Sequence, residues 1–198
     1  MVNRPPLQEG DIRIVSGTVR DAPCLAQIFK DASHGLAQYF WSKNVEPGSD
    51  PEQVILKRME TRISDPEGRF RLAKVRGATA GGMFSRNIGP EPESTEGMNA
   101  VVRALQYGEN DLLNTHYINA VAVFPEFRRL GLARVARALL SDAAKASDRP
   151  LSLIVADANH DAIRLYESFG FHEVSRHVME KDDWDGEGDW WIAMRRDV

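Results

Sequence analysis

Apolar residues recur along this chain with two different rhythms, and the changes from one to the other outline its elements. Ile12-Arg-Ile-Val15 predicts a short first strand. Beyond Arg20-Asp21, Leu25, Ile28 and Phe29 fall at helical spacing, with Ala22-Pro23 in the first turn. A second helix is predicted to start after Ser49 or Asp50, with Pro51-Glu52 in its first turn and Val54, Ile55, Leu56 and Met59 for burial. Phe70, Leu72 and Lys74, then Ala80-Gly-Gly-Met-Phe84, read as two strands joined around Arg76-Gly77. The rhythm breaks from 86 to 116. A Gly- and Pro-bearing loop, Asn87 to Ser94, precedes a helix marked by Met98, Val101, Val102 and Leu105 that ends near Gly108. This stretch is an insertion, too short to be a second domain.

The second half is more regular. Tyr117–Val123 is a strand that Pro125 ends. Leu132, Val135, Ala136, Leu139, Leu140 and Ala143 follow at helical spacing, with Arg134, Arg137, Asp142 and Lys145 opposite. Leu151–Ala156 is a strand. Ala162, Leu165, Tyr166 and Phe169 mark a short helix closed by Gly170. Phe171–Val174 and Trp190–Met194 are the last strands, separated by the acidic loop Glu180–Asp189.

Composition narrows the classes. The length of 198 residues suits one α/β domain, and a net charge of −4 gives no basic field to recruit nucleic acid or anionic membrane. A single cysteine, Cys24, excludes an intrachain disulfide and fits a cytoplasmic location. The polar first eleven residues hold no signal-peptide run, and no window is apolar enough for a membrane helix. The five histidines have no paired ligand spacing, so no metal is expected.

Two stretches carry candidate chemistry. In Val121-Ala-Val-Phe-Pro-Glu-Phe-Arg-Arg-Leu-Gly-Leu-Ala133 a strand gives way to a turn and then an amphipathic helix. The first amides of that helix lack intrahelical partners and sit at the positive end of its dipole. Small residues at Gly131 and Ala133 admit an anion, and Arg128, Arg129 and Arg134 add charge, a combination suited to a pyrophosphate. Neither a Walker loop nor a G-x-G-x-x-G fingerprint is present. An ordinary turn with solvated arginines fits the same residues. In Asn159-His-Asp-Ala-Ile-Arg-Leu-Tyr-Glu-Ser-Phe-Gly-Phe171, Asn159 can serve as a helix cap and Tyr166 as a packing residue.

Together these stretches resemble the GCN5-related N-acetyltransferase (GNAT) superfamily. The first matches its R/Q-x-x-G-x-G/A coenzyme motif, the second its Asn-x-x-Ala-x-x-Leu-Tyr-x-x-x-Gly-Phe motif, and both keep the order and the intervening strand. Resemblance is strongest from Tyr117 to Val174. It is closest to a bacterial branch with Tyr-Ile-Asn before the coenzyme strand and a long insertion ahead of it.

The resemblance implies one α/β (α+β) domain over 1–198, with a mixed, splayed central sheet flanked by helices on both faces. It implies acetyl-CoA in a V-shaped opening between the fourth and fifth strands. The backbone of Val121, Ala122 and Val123 would pair with the pantetheine arm, and Arg128, Arg129, Leu130, Gly131, Leu132, Ala133 and Arg134 would hold the pyrophosphate. Asn159 would touch the coenzyme, an N–H near Val121 would stabilise the oxyanion, and Tyr166 would protonate the departing thiolate.

The acceptor would be a primary amine of a small molecule or peptide, attacking the thioester directly. The general base is unassigned. Ile154 occupies a strand position where some relatives carry a Glu, leaving Glu126, Asn119, His116, Asp157 or water. Strand alternation puts Asn119 on the side of Val121. The loop at 180–189 either attracts a cationic amine, with Trp184 on its stem, or is solvated surface. Trp41 either lines the acceptor pocket or packs in the core. A non-catalytic acetyl-CoA-binding sensor of the same fold and a longer acyl donor are the alternatives, and a homodimer is compatible with the sequence.

Overall fold

The computed structural model describes residues 9–43, 45–46, 48–128 and 132–197, leaving aside the side chains of Glu9, Arg128 and Leu132. Seven strands form one sheet: β1 (Ile12–Ser16), β2 (Gly68–Val75), β3 (Ala78–Asn87), β4 (His116–Val123), β5 (Leu151–Ala156), β6 (His172–Val178) and β7 (Trp190–Arg196). Their order is β1-β2-β3-β4-β5-β7-β6, antiparallel except where β4 meets β5. The helices are α1 (Ala22–Ala32), α2 (Leu36–Lys43), α3 (Pro51–Ser64), α4 (Ala100–Asn110), the short α5 (Pro125–Arg128), α6 (Leu132–Ala146) and α7 (His160–Ser168).

Local chemistry accounts for these boundaries. Val75 pairs with Ala78 across a two-residue turn in which Arg76 and Gly77 both take positive φ, 50° and 85°, the geometry that suits a right-twisted hairpin. The Asp50 side chain accepts from the Glu52 amide at 3.0 Å to open α3, and Asn99 accepts from the Val102 amide at 2.9 Å to open α4.

Both faces of the sheet are covered. On one, Val135, Leu139 and Leu140 of α6 and the apolar side of α7 pack on Ile118, Leu153, Val155 and Met194. On the other, Leu25, Ile28 and Met59 of α1 and α3 cover Phe70, Leu72, Phe84, Ala120 and Ala122. Further along that face, α2 and α4 bring Leu36, Val101 and Ala104 against Ala156, Trp184 and Trp191.

Three features depart from the sequence expectation. Helix α2 was not predicted, since its eight residues follow Ser33-His-Gly35 and read as a continuation of a loop. Strand β6 runs to Val178 rather than Val174, because its partner β7 continues the ladder to Trp190. The third is in β4. Ile118 pairs with Ser85 and Ala120 with Phe84, so Asn119 is an extra residue that resets the alternation. Tyr117 and Val121 therefore pack in different core clusters, and Asn119 lies with Tyr117 rather than with Val121.

Candidate active site

Strands β4 and β5 start as neighbours and then part. They pair at His116↔Leu151, Tyr117↔Ser152 and Ile118↔Leu153, and nowhere further along. From Asn119 to Ala122 the edge of β4 that faces β5 has no strand partner among the described residues, while Ala120 to Ala122 stay paired to β3 on the other edge. Unpaired backbone groups beside a wide gap are available to a ligand that offers amides of its own. The gap opens into a cleft of about 1220 Å³, lined by Asn119 to Val123 from β4, Leu153 to Ala156 from β5, and side chains of α1, α2, α3, α4 and α7.

Tyr166 reaches this cleft from α7 and is 9% exposed. Its position is fixed by the way the helix ends. Gly170, at φ +93°, lets its own amide bond to the Glu167 carbonyl at 2.9 Å and the Phe171 amide bond to the Tyr166 carbonyl at 3.0 Å. The Phe171 ring then lies 5.8 Å from that of Tyr166. Burial pushes the phenol up to about 12, so the hydroxyl keeps its proton throughout the physiological range.

Asn159 does two things. Its Oδ1 accepts from the Ala162 amide at 3.2 Å, capping α7, and its Nδ2 lies 2.9 Å from Nε2 of His34. His34, at φ +48° between α1 and α2, thus closes over the cleft beside Asn159. Nothing in the sequence distinguished this histidine, because its partner is 125 positions away.

The opposite wall carries the charge. Glu109 of α4 pairs with Arg86 of β3, whose guanidinium lies 5.5 Å from the centre of the Tyr117 ring. Asn119 and Glu109 both act on the Tyr117 hydroxyl, and burial holds that phenol well above its ordinary value. Arg62 of α3 lies over the rings of Phe29 and Phe84, at 5.1 and 5.9 Å. Trp184 and Trp191 stack 5.7 Å apart with planes 4° from parallel, and among the described residues neither indole N–H finds an acceptor.

The acidic loop is anchored rather than freely solvated. The Tyr39 hydroxyl donates to Asp182 at 2.9 Å, Lys43 pairs with Asp183 at 2.6 Å, and Trp184 is only 5% exposed. Trp41 lines the cleft and also packs on the core.

Of the other predicted site residues, Val121, Ala122 and Val123 line the cleft, and Ala133 and Arg134 are exposed in the first turn of α6. Arg129, Leu130 and Gly131 lie outside the described residues, as do the side chains of Arg128 and Leu132. Among the candidate bases, His116 is buried away from the cleft. Both its ring nitrogens are engaged, with Asn87 and Ser85 at 2.9 Å each. The Asp157 carboxylate accepts from the amides of Asp189 and Trp190, tying down the acidic loop. Glu126 is exposed on α5 and is not part of the cleft wall. Glu109 was missed by the sequence reading, because a lone glutamate near the end of a helix in an insertion has no local signature.

A strand pair that parts over a cleft lined by an Asn and a Tyr of the following helix matches the arrangement the two motifs imply. The sequence profile of the acetyltransferase (GNAT) family matches residues 34–171, more than half of the chain. The chain belongs to the GNAT family. No curated protein matches it in sequence.

Solved GNAT structures share its fold. The ribosomal-protein-S18-alanine N-acetyltransferase from Escherichia coli is 21% identical, with a TM-score of 0.59 over 94% of each chain. NAA60 from Arabidopsis thaliana, in complex with a bisubstrate analogue, is 16% identical, with a TM-score of 0.59 over 94% of this chain and 99% of that one. PaiA N-acetyltransferase from Thermoplasma acidophilum, in complex with coenzyme A, is 14% identical, with a TM-score of 0.55 over the same shares. Among the described residues of this GNAT chain, no helix is long and apolar enough to cross a membrane.

Proposed function

We propose that this GNAT chain transfers an acetyl group from acetyl-CoA to a primary amine of a small molecule or peptide by direct attack. In this reading residues 1–198 act as one acetyltransferase unit, with 86–116 inserted ahead of the coenzyme strand. The carrying observation is the unpaired edge of β4 from Asn119 to Ala122, beside a gap in the sheet that opens into the cleft. Pantetheine has two amides, and an extended arm laid along that edge can exchange hydrogen bonds with the backbone of Val121 as an added strand would. The turn at 128–134 would hold the pyrophosphate, and Asn159 would contact the coenzyme. A backbone N–H near Val121 would meet the oxyanion, a role that preorganised amides perform well in a site closed to water.

The chemistry of Tyr166 follows from its surroundings. An ordinary thiol has a pKa of ~8.5, so a phenol held at about 12 is the weaker acid and does not hand its proton over completely. Its hydroxyl serves as a hydrogen-bond donor that stabilises the thiolate as the C–S bond breaks. Thiol release from acetyl-CoA with a panel of amines tests the reading. Steady release with at least one amine is expected, whereas tight coenzyme binding without release would make the chain a sensor.

A further inference from the structure

We propose that Glu109 is the general base of this enzyme, receiving the proton that the attacking amine must shed; the inference rests on the acetyl-transfer reading above. The case begins with the packing of α4. A Cβ at Gly108 would lie 2.9 Å from Cδ1 of Ile154, so the absence of a side chain lets α4 lie flush on β5. The next residue, Glu109, then enters the cleft wall beside Tyr117 and Asn119. Its side chain is only 14% exposed, and a carboxylate seldom sits so deep without a partner. Arg86 engages one oxygen, Oε2.

The groups around this carboxylate come from every neighbouring element. Arg86 on β3 and the Tyr117 phenol on β4 favour its charged form, while burial and Glu93, in the loop before α4, oppose it. Arg62 on α3 adds a second nearby cation. On the β6 side, Asp111 is already committed to His177 at 2.7 Å and Ser175 at 2.6 Å. Burial acts most strongly, and Glu109 ends above the ordinary carboxylate range. A carboxylate more basic than a surface glutamate suits a base. Arg62 and Arg86 also disfavour a neighbouring ammonium, so they ease its loss of a proton.

The step balances. An ammonium N–H proton passes to the Glu109 carboxylate, and the freed lone pair forms the C–N bond at the thioester carbonyl carbon. The C–S bond breaks with its electron pair on sulfur, and the second nitrogen proton ends on that sulfur. Glu109 returns the first proton to solvent, so one proton is released per turnover.

The test is the pH dependence of kcat/KM for wild type, Glu109→Gln and Arg86→Gln, using an amine from the panel, with acetyl-CoA affinity measured by calorimetry. Glu109→Gln should lose roughly a hundred-fold in kcat/KM, with the loss shrinking at high pH, while coenzyme affinity holds. Arg86→Gln removes the cation that lowers the carboxyl pKa, so it should move the acidic limb to higher pH. This second variant keeps Glu109 and so stands if Glu109→Gln fails to fold. A wild-type rate and profile in Glu109→Gln, or an unmoved limb in Arg86→Gln, overturns the assignment alone. A wild-type protein that binds acetyl-CoA but releases no thiol with any amine overturns the transfer reading and this inference together.

Discussion

The two ends of β4 use the same backbone for opposite purposes. At its closed end, from His116 to Ile118, the strand is paired on both sides. The His116 amide donates to the Pro150 carbonyl at 2.8 Å, Thr115 and Ser152 share a hydrogen bond at 2.6 Å, and both nitrogens of the His116 ring have partners. Polar groups buried here are satisfied within the protein, and their role is to fix the sheet. At the open end, from Asn119 to Ala122, one edge has no strand partner among the described residues and Tyr166 faces a cleft. Satisfied groups hold the fold, and those left over mark where a ligand must complete it. Changes at the closed end should therefore move stability, and changes at the open end should move binding or turnover.

The largest expected effect tests the closed end. Burial, with Arg69 and Arg149 nearby, pushes His116 down to about 4, against an unfolded value near 6.5. A group depressed in the folded state stabilises above its unfolded pKa and loses that contribution as pH falls through its folded pKa. Between pH 6.5 and 4 the protein should lose as much as ~3 kcal/mol through this residue, which is 1% exposed. Denaturant titrations at several pH values, with His116→Gln as reference, measure it, and matching pH slopes would break the assignment.

Next comes the open end. Tyr166→Phe keeps the ring and its contact with Phe171 but removes the donor. Loss of a preorganised donor to the developing charge should lower turnover roughly a hundred-fold, with stability changed by ~1 kcal/mol or less and coenzyme affinity nearly unchanged. A Phe variant with near wild-type turnover, where chemistry limits the rate, would remove Tyr166 from the mechanism.

The third effect is on affinity alone. Gly131→Val puts a branched side chain where phosphate oxygens are proposed to approach the backbone, and losing one charge-assisted hydrogen bond should weaken binding about tenfold. Calorimetry showing unchanged acetyl-CoA affinity for the folded variant would contradict it.

The smallest effect sharpens the comparison across the cleft. Gly108→Ala brings a methyl group against Ile154, so α4 must shift by a few tenths of an ångström. The Ala gain in helix propensity, ~1 kcal/mol, should roughly offset the strain. Acceptor KM should rise only a few-fold, since even a displacement of about 1 Å can cost a hundred-fold. Acetyl-CoA affinity should hold. A parallel loss of both affinities would mean that α4 supports the coenzyme side as well.

The proposed coenzyme side leaves a signature in the sequence because its parts are backbone and nearest neighbours. A strand, a Gly-bearing turn and a capped helix leave residues at fixed spacing, and Asn159, Tyr166 and Gly170 belong to one twelve-residue stretch around α7. The proposed acceptor side is assembled from side chains far apart in sequence. Glu109, Arg86 and Arg62 come from three separate elements, so no spacing could announce them. The bulge at Asn119 was hidden for a related reason. It is a property of how β3 and β4 pair, and strand alternation read from β4 alone placed Asn119 on the wrong side. Helix α2 was missed because eight residues give too little periodicity to stand out from a loop.

The stacked indoles of Trp184 and Trp191 have an optical consequence. Four tryptophans are present in the chain, and three of them, Trp41, Trp184 and Trp191, line the cleft. The fourth, Trp190, is 37% exposed. Ultraviolet emission from this protein is thus weighted toward the cleft wall, with no label attached. Two nearly parallel rings at 5.7 Å are close enough for their excited states to couple, so their emission responds to small changes in mutual angle. A ligand carbonyl that engaged either unpartnered N–H would shift that emission to longer wavelength. The protein carries its own spectroscopic probe on the cleft wall.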